Sequence, residues 1–420
     1  MFEIEPGNIK NTTVSVPGSK SYTHRMLIAA ALSEGPCRVR NPLESEDTLL
    51  TMHCLRRMGI SIQPAQQGVI AAGRNGRIDA PQTPIDLGNS GTSMRLLSAV
   101  GALGTGTTIL TGSRRLQQRP VHHLLEALQN LGVDVRAVNA DGCPPVEIRG
   151  GTFRGGMTEL NCSISSQFLS ALLLVATFAE QDVDIRIKEG LVSRPYVDMT
   201  LDVMRRFGVV VEHGGYERFK IRHGQTYRSG DYTVEPDYSQ AGYFWAAVAI
   251  TGAEIKVKDT THRTAQGDVH LLDGLEAMGC WIREDRDGIA VAGGPLKGIR
   301  IDMADMPDMV PTLGVVAAYA EGTTEILNVG HLRVKESDRI ASVATELRKM
   351  GVTVQEAKNS LQIEGGTPHG ADIETYDDHR IAMSFALAGL KTPGVKIKDP
   401  MCVKKSFPGF WEVFSGLTAE

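Results

Sequence analysis

Several basic residues stand at the starts of apolar helix patterns, where a bare helix gives no reason for them. In Pro17-Gly18-Ser19-Lys20-Ser21-Tyr22-Thr23-His24-Arg25, Lys20 and Arg25 fall at or just inside a helix N-terminus. That end carries unpaired N–H groups and the positive pole of the helix dipole, so a cation there calls for an anion beside it. The P-loop pattern is not met, because Ser19 rather than Gly precedes Lys20 and the upstream Gly is missing, which excludes an NTPase. A second start, Leu87-Gly88-Asn89-Ser90-Gly91-Thr92-Ser93-Met94-Arg95, combines glycines that let a ligand approach the backbone with Arg95 in the first turn. Its glycine spacing is not the dinucleotide fingerprint. Ser165-Ser166-Gln167 offers three neutral donors suited to phosphate oxygens, although alone it reads better as a plain helix cap.

Further along, Arg119-Pro120 precedes a helix, and Arg333-Val334-Lys335-Glu336-Ser337-Asp338-Arg339 sets Lys335 and Arg339 four residues apart, a like-charge pair that destabilises a bare helix. Asp378-His379-Arg380 crowds three ionisable groups into one helix opening, and Lys404-Lys405 lies near the C-terminus. With Asp308, Glu336 and Asp378, these residues form a basic, hydroxyl-rich set holding a few carboxyl groups. Such a set suits two anionic substrates, with carboxyl groups left for proton transfer. The acidic run Glu44-Ser45-Glu46-Asp47 lacks ligand spacing and reads as a solvated helix start.

The elements that must position these residues repeat. A unit of roughly seventy residues recurs six times, opening at Ser21, Gly91, Ser165, Ser239, Asp308 and Asp378. Each opening starts an apolar helix, followed by a β-rich run such as Thr107-Thr108-Ile109-Leu110. An amphipathic helix then stops at a Gly (Gly132, Gly208, Gly279, Gly351), and two short alternating strands close the unit. The unit is βαβαββ. Helices apolar all round are buried all round, so three units packed about an axis bury them together and leave the sheets outside. The fold class is therefore α/β, with two similar domains of three units each. The sixth unit lacks a hairpin, and an orphan hairpin stands at Phe2–Glu5 and Thr13–Val16. The N-terminal segment is expected to complete the last unit, giving a discontinuous domain of residues 1–18 plus 236–420 and a second of 19–235, with the active site in the cleft between them. The fourth unit, opening at Ser239, adds no charge and is expected to be mainly structural.

Composition bounds the partners. The formal charge of −5 gives no global attraction to nucleic acid or to an anionic membrane. The 6 cysteines are scattered without a C-x-x-C pair, which argues for free thiols in a reducing cytoplasm. The start Met1-Phe2-Glu3-Ile4-Glu5 is no signal peptide, no uncharged run approaches a membrane span, and no metal-ligand motif is found. No exposed apolar stripe or heptad is evident, so a monomer is the default.

Taken together, Pro17-Gly18-Ser19-Lys20-Ser21, Leu87–Thr92, Ile164–Phe168, Arg333–Arg339 and Asp377–Arg380 resemble the 5-enolpyruvylshikimate-3-phosphate synthase family from about residue 15 to residue 408. The resemblance implies two domains of three βαβαββ units. It also implies transfer of the enolpyruvyl group of phosphoenolpyruvate to the 5-hydroxyl of shikimate 3-phosphate through a tetrahedral ketal, with release of phosphate and with no metal or cofactor. By motif, Ser165, Ser166 and Ser193 hold the shikimate phosphate, and Ser21 and Arg25 its carboxylate. Gln167 lies between the substrates. Lys20, Gly91, Arg119 and Lys405 hold the phosphate of phosphoenolpyruvate, and Arg339 and Arg380 its carboxylate. Asp308, alongside Lys335, is the base at the 5-hydroxyl; Glu336 protonates the methylene carbon; Lys20 stabilises the departing phosphate. Gly91 is the small residue that leaves room for glyphosate, which is expected to compete with phosphoenolpyruvate. Two positions depart from the family pattern: His331 stands where Asn is frequent, and Leu96 where Pro is frequent. The alternatives are the sister transferase acting on UDP-N-acetylglucosamine and a non-catalytic repeat scaffold. Leu116-Gln117-Gln118-Arg119-Pro120-Val121 lacks the Cys or Asp usual in the former. The scaffold predicts equivalent copies, whereas charge here clusters at a few helix starts.

Overall fold

The computed structural model describes residues 1–418. The chain divides into two compact units, one of Met1–Pro17 with Pro236–Glu420 and one of Gly18–Glu235. Each unit has three apolar helices at its centre. In the continuous unit these are Lys20–Leu32, Gly91–Gly101 and Gln167–Ala176, and in the discontinuous unit Tyr238–Thr251, Val310–Ala317 and His379–Gly389. Their residues are buried almost without exception, which is why they show no polar face.

Four of these helices are bracketed in sequence by two parallel strands of one sheet, the arrangement a helical crossover allows. Gly156–Asn161 and Val183–Glu189 bracket Gln167–Ala176, for example, and Arg300–Asp302 and Thr323–Leu327 bracket Val310–Ala317. Two antiparallel strands complete most sheets, giving the order parallel edge, centre, third strand, hairpin partner, as in 300–302, 323–327, 361–364 and 353–356. Burial alternates along them (Arg218–Ile221, Leu361–Glu364), so one face of each sheet covers the helices and the other meets water. The amphipathic helices stop where the sequence places glycine: Gly132, Gly208, Gly279 and Gly351 have φ of 90°, 90°, 112° and 80°.

The N-terminal segment departs from the hairpin expected of it. Phe2–Ile4 pairs antiparallel with Val395–Ile397 of the sixth repeat, while Thr12–Val14 pairs parallel with Glu254–Lys258 of the fourth. The strands part because this placement buries both Ile4 and Val14 in one core with the three helices, and the intervening Pro6-Gly7 permits the turn away. Gly389 makes room for Ile4; a Cβ added there would lie 2.5 Å from the Cβ of Ile4. In the continuous unit the corresponding parallel edge strand is Gly230–Thr233, beside Pro36–Arg40.

Helix starts also differ in detail from the expected openings. Ser19 and Asp237, two residues ahead of Ser21 and Ser239, are the caps that accept backbone N–H bonds, from Tyr22 and Gln240. The fifth start is preceded by a 3-10 turn, Pro307–Met309, which carries Asp308. Among the described residues no helix is long and apolar enough to cross a membrane.

Candidate functional site

In the continuous unit the chemistry gathers at the N-termini of the three buried helices. Lys20, the first residue of its helix, lies 3.2 Å from Asp47, whose side chain is 3% exposed. Asp47 is thus no solvated residue, contrary to the sequence reading of the Glu44–Asp47 run. It stands in the first turn of the helix Glu46–Arg57 and accepts a hydrogen bond from the Lys20 ammonium. Around it runs a buried chain of hydrogen bonds: His24 Nδ1 to Thr51 Oγ1 (2.8 Å), Thr51 Oγ1 to Ser93 Oγ (2.7 Å) and Ser93 Oγ to Ser90 Oγ (2.8 Å). This chain ties the Lys20 helix to the Gly91 loop.

Arg25 is fully buried. Its guanidinium donates to Thr200 Oγ1 (2.8 Å), the carbonyls of Ser21 (2.9 Å) and Tyr196 (3.0 Å), and Ser170 Oγ (3.3 Å). Every one of these acceptors is neutral. Burial accordingly pushes the Arg25 pKa down to about 10, a cation short of an anion. Ser193, just ahead of Tyr196, adopts φ of 54°, a left-handed conformation unusual for a residue with a side chain and of the kind that functional loops hold.

Gln167 is fixed at both ends of its amide. Its Oε1 accepts from Arg95 Nη1 (2.8 Å), and its Nε2 donates to Thr92 Oγ1 (3.0 Å). Arg95 also stacks on Phe168, with its guanidinium carbon 5.5 Å from the ring centroid. The Ser165 hydroxyl accepts the Gln167 N–H (3.2 Å), and Ser165 and Ser166 are both buried. Arg119 lies over Gly91, where an added Cβ would meet three guanidinium atoms at 2.5–2.7 Å. The missing side chain is what lets Arg119 occupy that place.

In the discontinuous unit, five of the named residues form one ionic cluster. Arg339 is 1% exposed. Its Nε donates to Asp378 Oδ2 (2.8 Å), its Nη1 to Asp308 Oδ1 (2.8 Å), and its Nη2 to Glu336 Oε2 (3.0 Å) and Asp378 Oδ1 (3.2 Å). Burial opposes the charge on Arg339, but Asp378, Glu336 and Asp308 together outweigh it and raise its pKa. The other oxygen of Asp308 accepts from Arg380 Nη2 (2.8 Å), so one carboxylate bridges two arginines. Asp378 is also the helix cap for the Arg380 N–H (3.0 Å) and accepts the Ser337 hydroxyl (3.0 Å).

The fourth repeat supplies a neutral partner to one of the arginines. Tyr243 on its buried helix accepts a hydrogen bond from Arg380 Nη1 (3.2 Å), and burial pushes the phenol pKa up to about 12. His331 is buried, and desolvation, helped by the Lys335 cation, pushes its imidazole down to about 3 despite Asp308 nearby. Lys405 is buried on the 3-10 segment Pro400–Lys405, which packs against the helix that Arg380 begins.

Of the residues singled out from sequence, Lys20, Arg25, Gly91, Arg119 and Gln167 are tied to the helix starts of the continuous unit, and Asp308, Glu336, Arg339 and Arg380 interlock in the other. Sequence reasoning missed Asp47, Thr92, Tyr196, Thr200 and Tyr243. Thr92 lies inside a quoted segment and Tyr196 three residues beyond Ser193, so their signal was present. Thr200 and Tyr243 sit on otherwise apolar helix faces and gave none.

Two units of three helix-and-sheet repeats, with cations gathered at buried helix starts, are the architecture of the enolpyruvyl transferase class. The sequence matches the EPSP synthase (3-phosphoshikimate 1-carboxyvinyltransferase) family over residues 4–414. It is 45% identical over 402 residues to the 3-phosphoshikimate 1-carboxyvinyltransferase of Methanoculleus marisnigri, covering 95% of each chain. It is 43% identical over 407 residues to that of Trichormus variabilis, covering 96% of each. The EPSP synthase structure from Acinetobacter baumannii superposes with a TM-score of 0.83 at 32% identity, covering 99% of this chain and 98% of that one. The chain belongs to the EPSP synthase family.

Proposed function

We propose that this protein transfers the enolpyruvyl group of phosphoenolpyruvate to the 5-hydroxyl of shikimate 3-phosphate and releases phosphate, a step towards chorismate and the aromatic amino acids. The observation that carries the reading most directly is Asp308 held between Arg339 and Arg380, a ready-made carboxylate fork. In this reading the carboxylate of phosphoenolpyruvate takes the fork. Lys20, Gly91, Arg119, Gln167 and Lys405 serve the rest of that substrate. Ser165, Ser166 and Ser193 serve the shikimate phosphate, and Ser21 and Arg25 the shikimate carboxylate.

Asp308, released from the arginines and aided by Lys335, takes the proton of the 5-hydroxyl as its oxygen bonds to the central carbon of phosphoenolpyruvate. Glu336 delivers a proton to the methylene carbon, giving the tetrahedral ketal. The carbon–oxygen bond to the phosphate then breaks, Lys20 stabilises the leaving phosphate as it takes up the proton held by Asp308, and the methyl proton returns to Glu336 as the double bond is restored. General acid–base groups of this kind contribute roughly 10²–10⁴-fold each. The same proposal includes a monomeric cytoplasmic enzyme with no nucleic-acid or membrane partner, for which the scattered cysteines and net charge of −5 are the support.

Phosphate release with phosphoenolpyruvate and each acceptor tests this. Release with shikimate 3-phosphate and none with UDP-N-acetylglucosamine is expected. The reverse result assigns the sister reaction, and no release with either acceptor removes the catalytic reading.

A further inference from the structure

The helix Arg339–Lys349 carries a buried acid that the proposed chemistry does not use. Glu346 has no exposed side-chain surface. It accepts from Lys349 Nζ (2.8 and 2.9 Å), from the backbone N–H of Glu374 (3.0 Å) and from the Tyr376 hydroxyl (2.5 Å). Two of these four bonds reach the segment immediately ahead of Asp378. That segment is unusual: Tyr376 and Asp377 have φ of 56° and 54°, two consecutive left-handed residues with side chains. Such a turn persists only where its surroundings hold it. Its product is the direction of Asp378, whose N–H returns to the Thr375 carbonyl (2.8 Å) and whose carboxylate grips Arg339 and Ser337.

One helix therefore touches the same short segment at two places: Arg339 in its first turn through Asp378, and Glu346 two turns later through Glu374 and Tyr376. We propose that Glu346 and Tyr376 form a positioning strut, which holds the 374–378 turn in its left-handed course and so fixes the orientation of the Arg339 guanidinium towards the anionic ligand. Neither residue touches the reacting groups. They act through Asp378. A guanidinium aimed slightly wrong loses its match to a carboxylate while the rest of the unit stays folded, because the core beneath (Ile340, Val343, Leu347) is untouched.

The inference rests on the reading of Arg339 as a carboxylate ligand. The test compares Tyr376→Phe, Glu346→Gln and Lys349→Met in the full-length enzyme. Tyr376→Phe removes one hydroxyl and is expected to raise the KM for phosphoenolpyruvate about ten-fold with the KM for shikimate 3-phosphate unmoved. Glu346→Gln is expected to act in the same direction, and more weakly, since an amide oxygen still accepts one bond. Lys349→Met, which spares the turn, is expected to change neither KM. Backbone hydrogen exchange at Thr375–Arg380 is expected to speed up in Tyr376→Phe and not in Lys349→Met, and this holds whichever acceptor the enzyme uses. A lowered melting temperature with both KM values unmoved in Tyr376→Phe overturns the strut in favour of plain packing, as does unchanged exchange in that segment. Absence of phosphate release by the unmodified enzyme overturns the catalytic reading instead, and the exchange measurement then decides the strut alone.

Discussion

The two units hold their arginines in opposite ways. Arg25 in the continuous unit is wholly buried among hydroxyls and carbonyls, and its pKa falls because no carboxylate answers its charge. Arg339 in the discontinuous unit is equally buried, but Asp308, Glu336 and Asp378 surround it and its pKa rises. The first charge has neutral partners only; the second is already neutralised within the protein. Under the proposed reaction an anionic ligand at the second exchanges with a protein carboxylate, and Asp308, which bridges Arg339 and Arg380, is the group we propose for that exchange.

The largest effect should fall on turnover. Asp308→Ala is expected to lower kcat by about 10²–10⁴-fold, with modest change in shikimate 3-phosphate affinity, and Glu336→Gln to fall in the same range. Steady-state kinetics with calorimetric binding checks both, and a turnover within a few-fold of the parent in either variant removes its assigned role. Next comes stability. Arg339→Met removes the cation shared by three carboxylates and should cost about 3–5 kcal/mol of unfolding free energy. Arg25→Met should change stability by less than about 1 kcal/mol, because Thr200 Oγ1 keeps its bonds to Ser170 Oγ and the Tyr196 carbonyl. Denaturant unfolding of the pair decides it; equal losses would erase the contrast between the sites.

Gly91→Ala pushes a methyl into the Arg119 guanidinium, the far end of a flexible side chain that can give way. A folded enzyme with KM for phosphoenolpyruvate raised roughly ten-fold is expected, and an unchanged KM would show that Arg119 does not need its present place. A further effect concerns pH. His331 has a folded pKa of about 3, below its usual 6.5, so the unfolded chain binds the proton first on acidification. Its contribution is complete above pH 6.5 and is lost as pH falls towards 3, at about 1.4 kcal/mol per unit. Unfolding of His331→Asn should depend less steeply on pH across that window than the parent does. Parallel profiles would contradict this.

The repeat, its helix ends and the cations at those ends were legible in sequence because each follows a local rule: periodicity, glycine at C′, charge against a dipole. The partners of those cations were not. Asp47 was read as solvated because an acidic run at a helix start is most often exposed, and only folding brings Lys20 against it. Tyr243 sits in a helix so apolar that its hydroxyl carried no pattern, although it meets Arg380 across 137 residues of sequence. The N-terminal strands were read as one hairpin because adjacent strands usually pair. They separate because each buries an apolar side chain in a different sheet of the same core.

We propose a division of labour between the two kinds of arginine site, and KM values for both substrates in Arg25→Met and Arg380→Met test it most directly. Arg25→Met should raise the KM for shikimate 3-phosphate with little change for phosphoenolpyruvate, and Arg380→Met should do the reverse. Both variants losing the same substrate would contradict it.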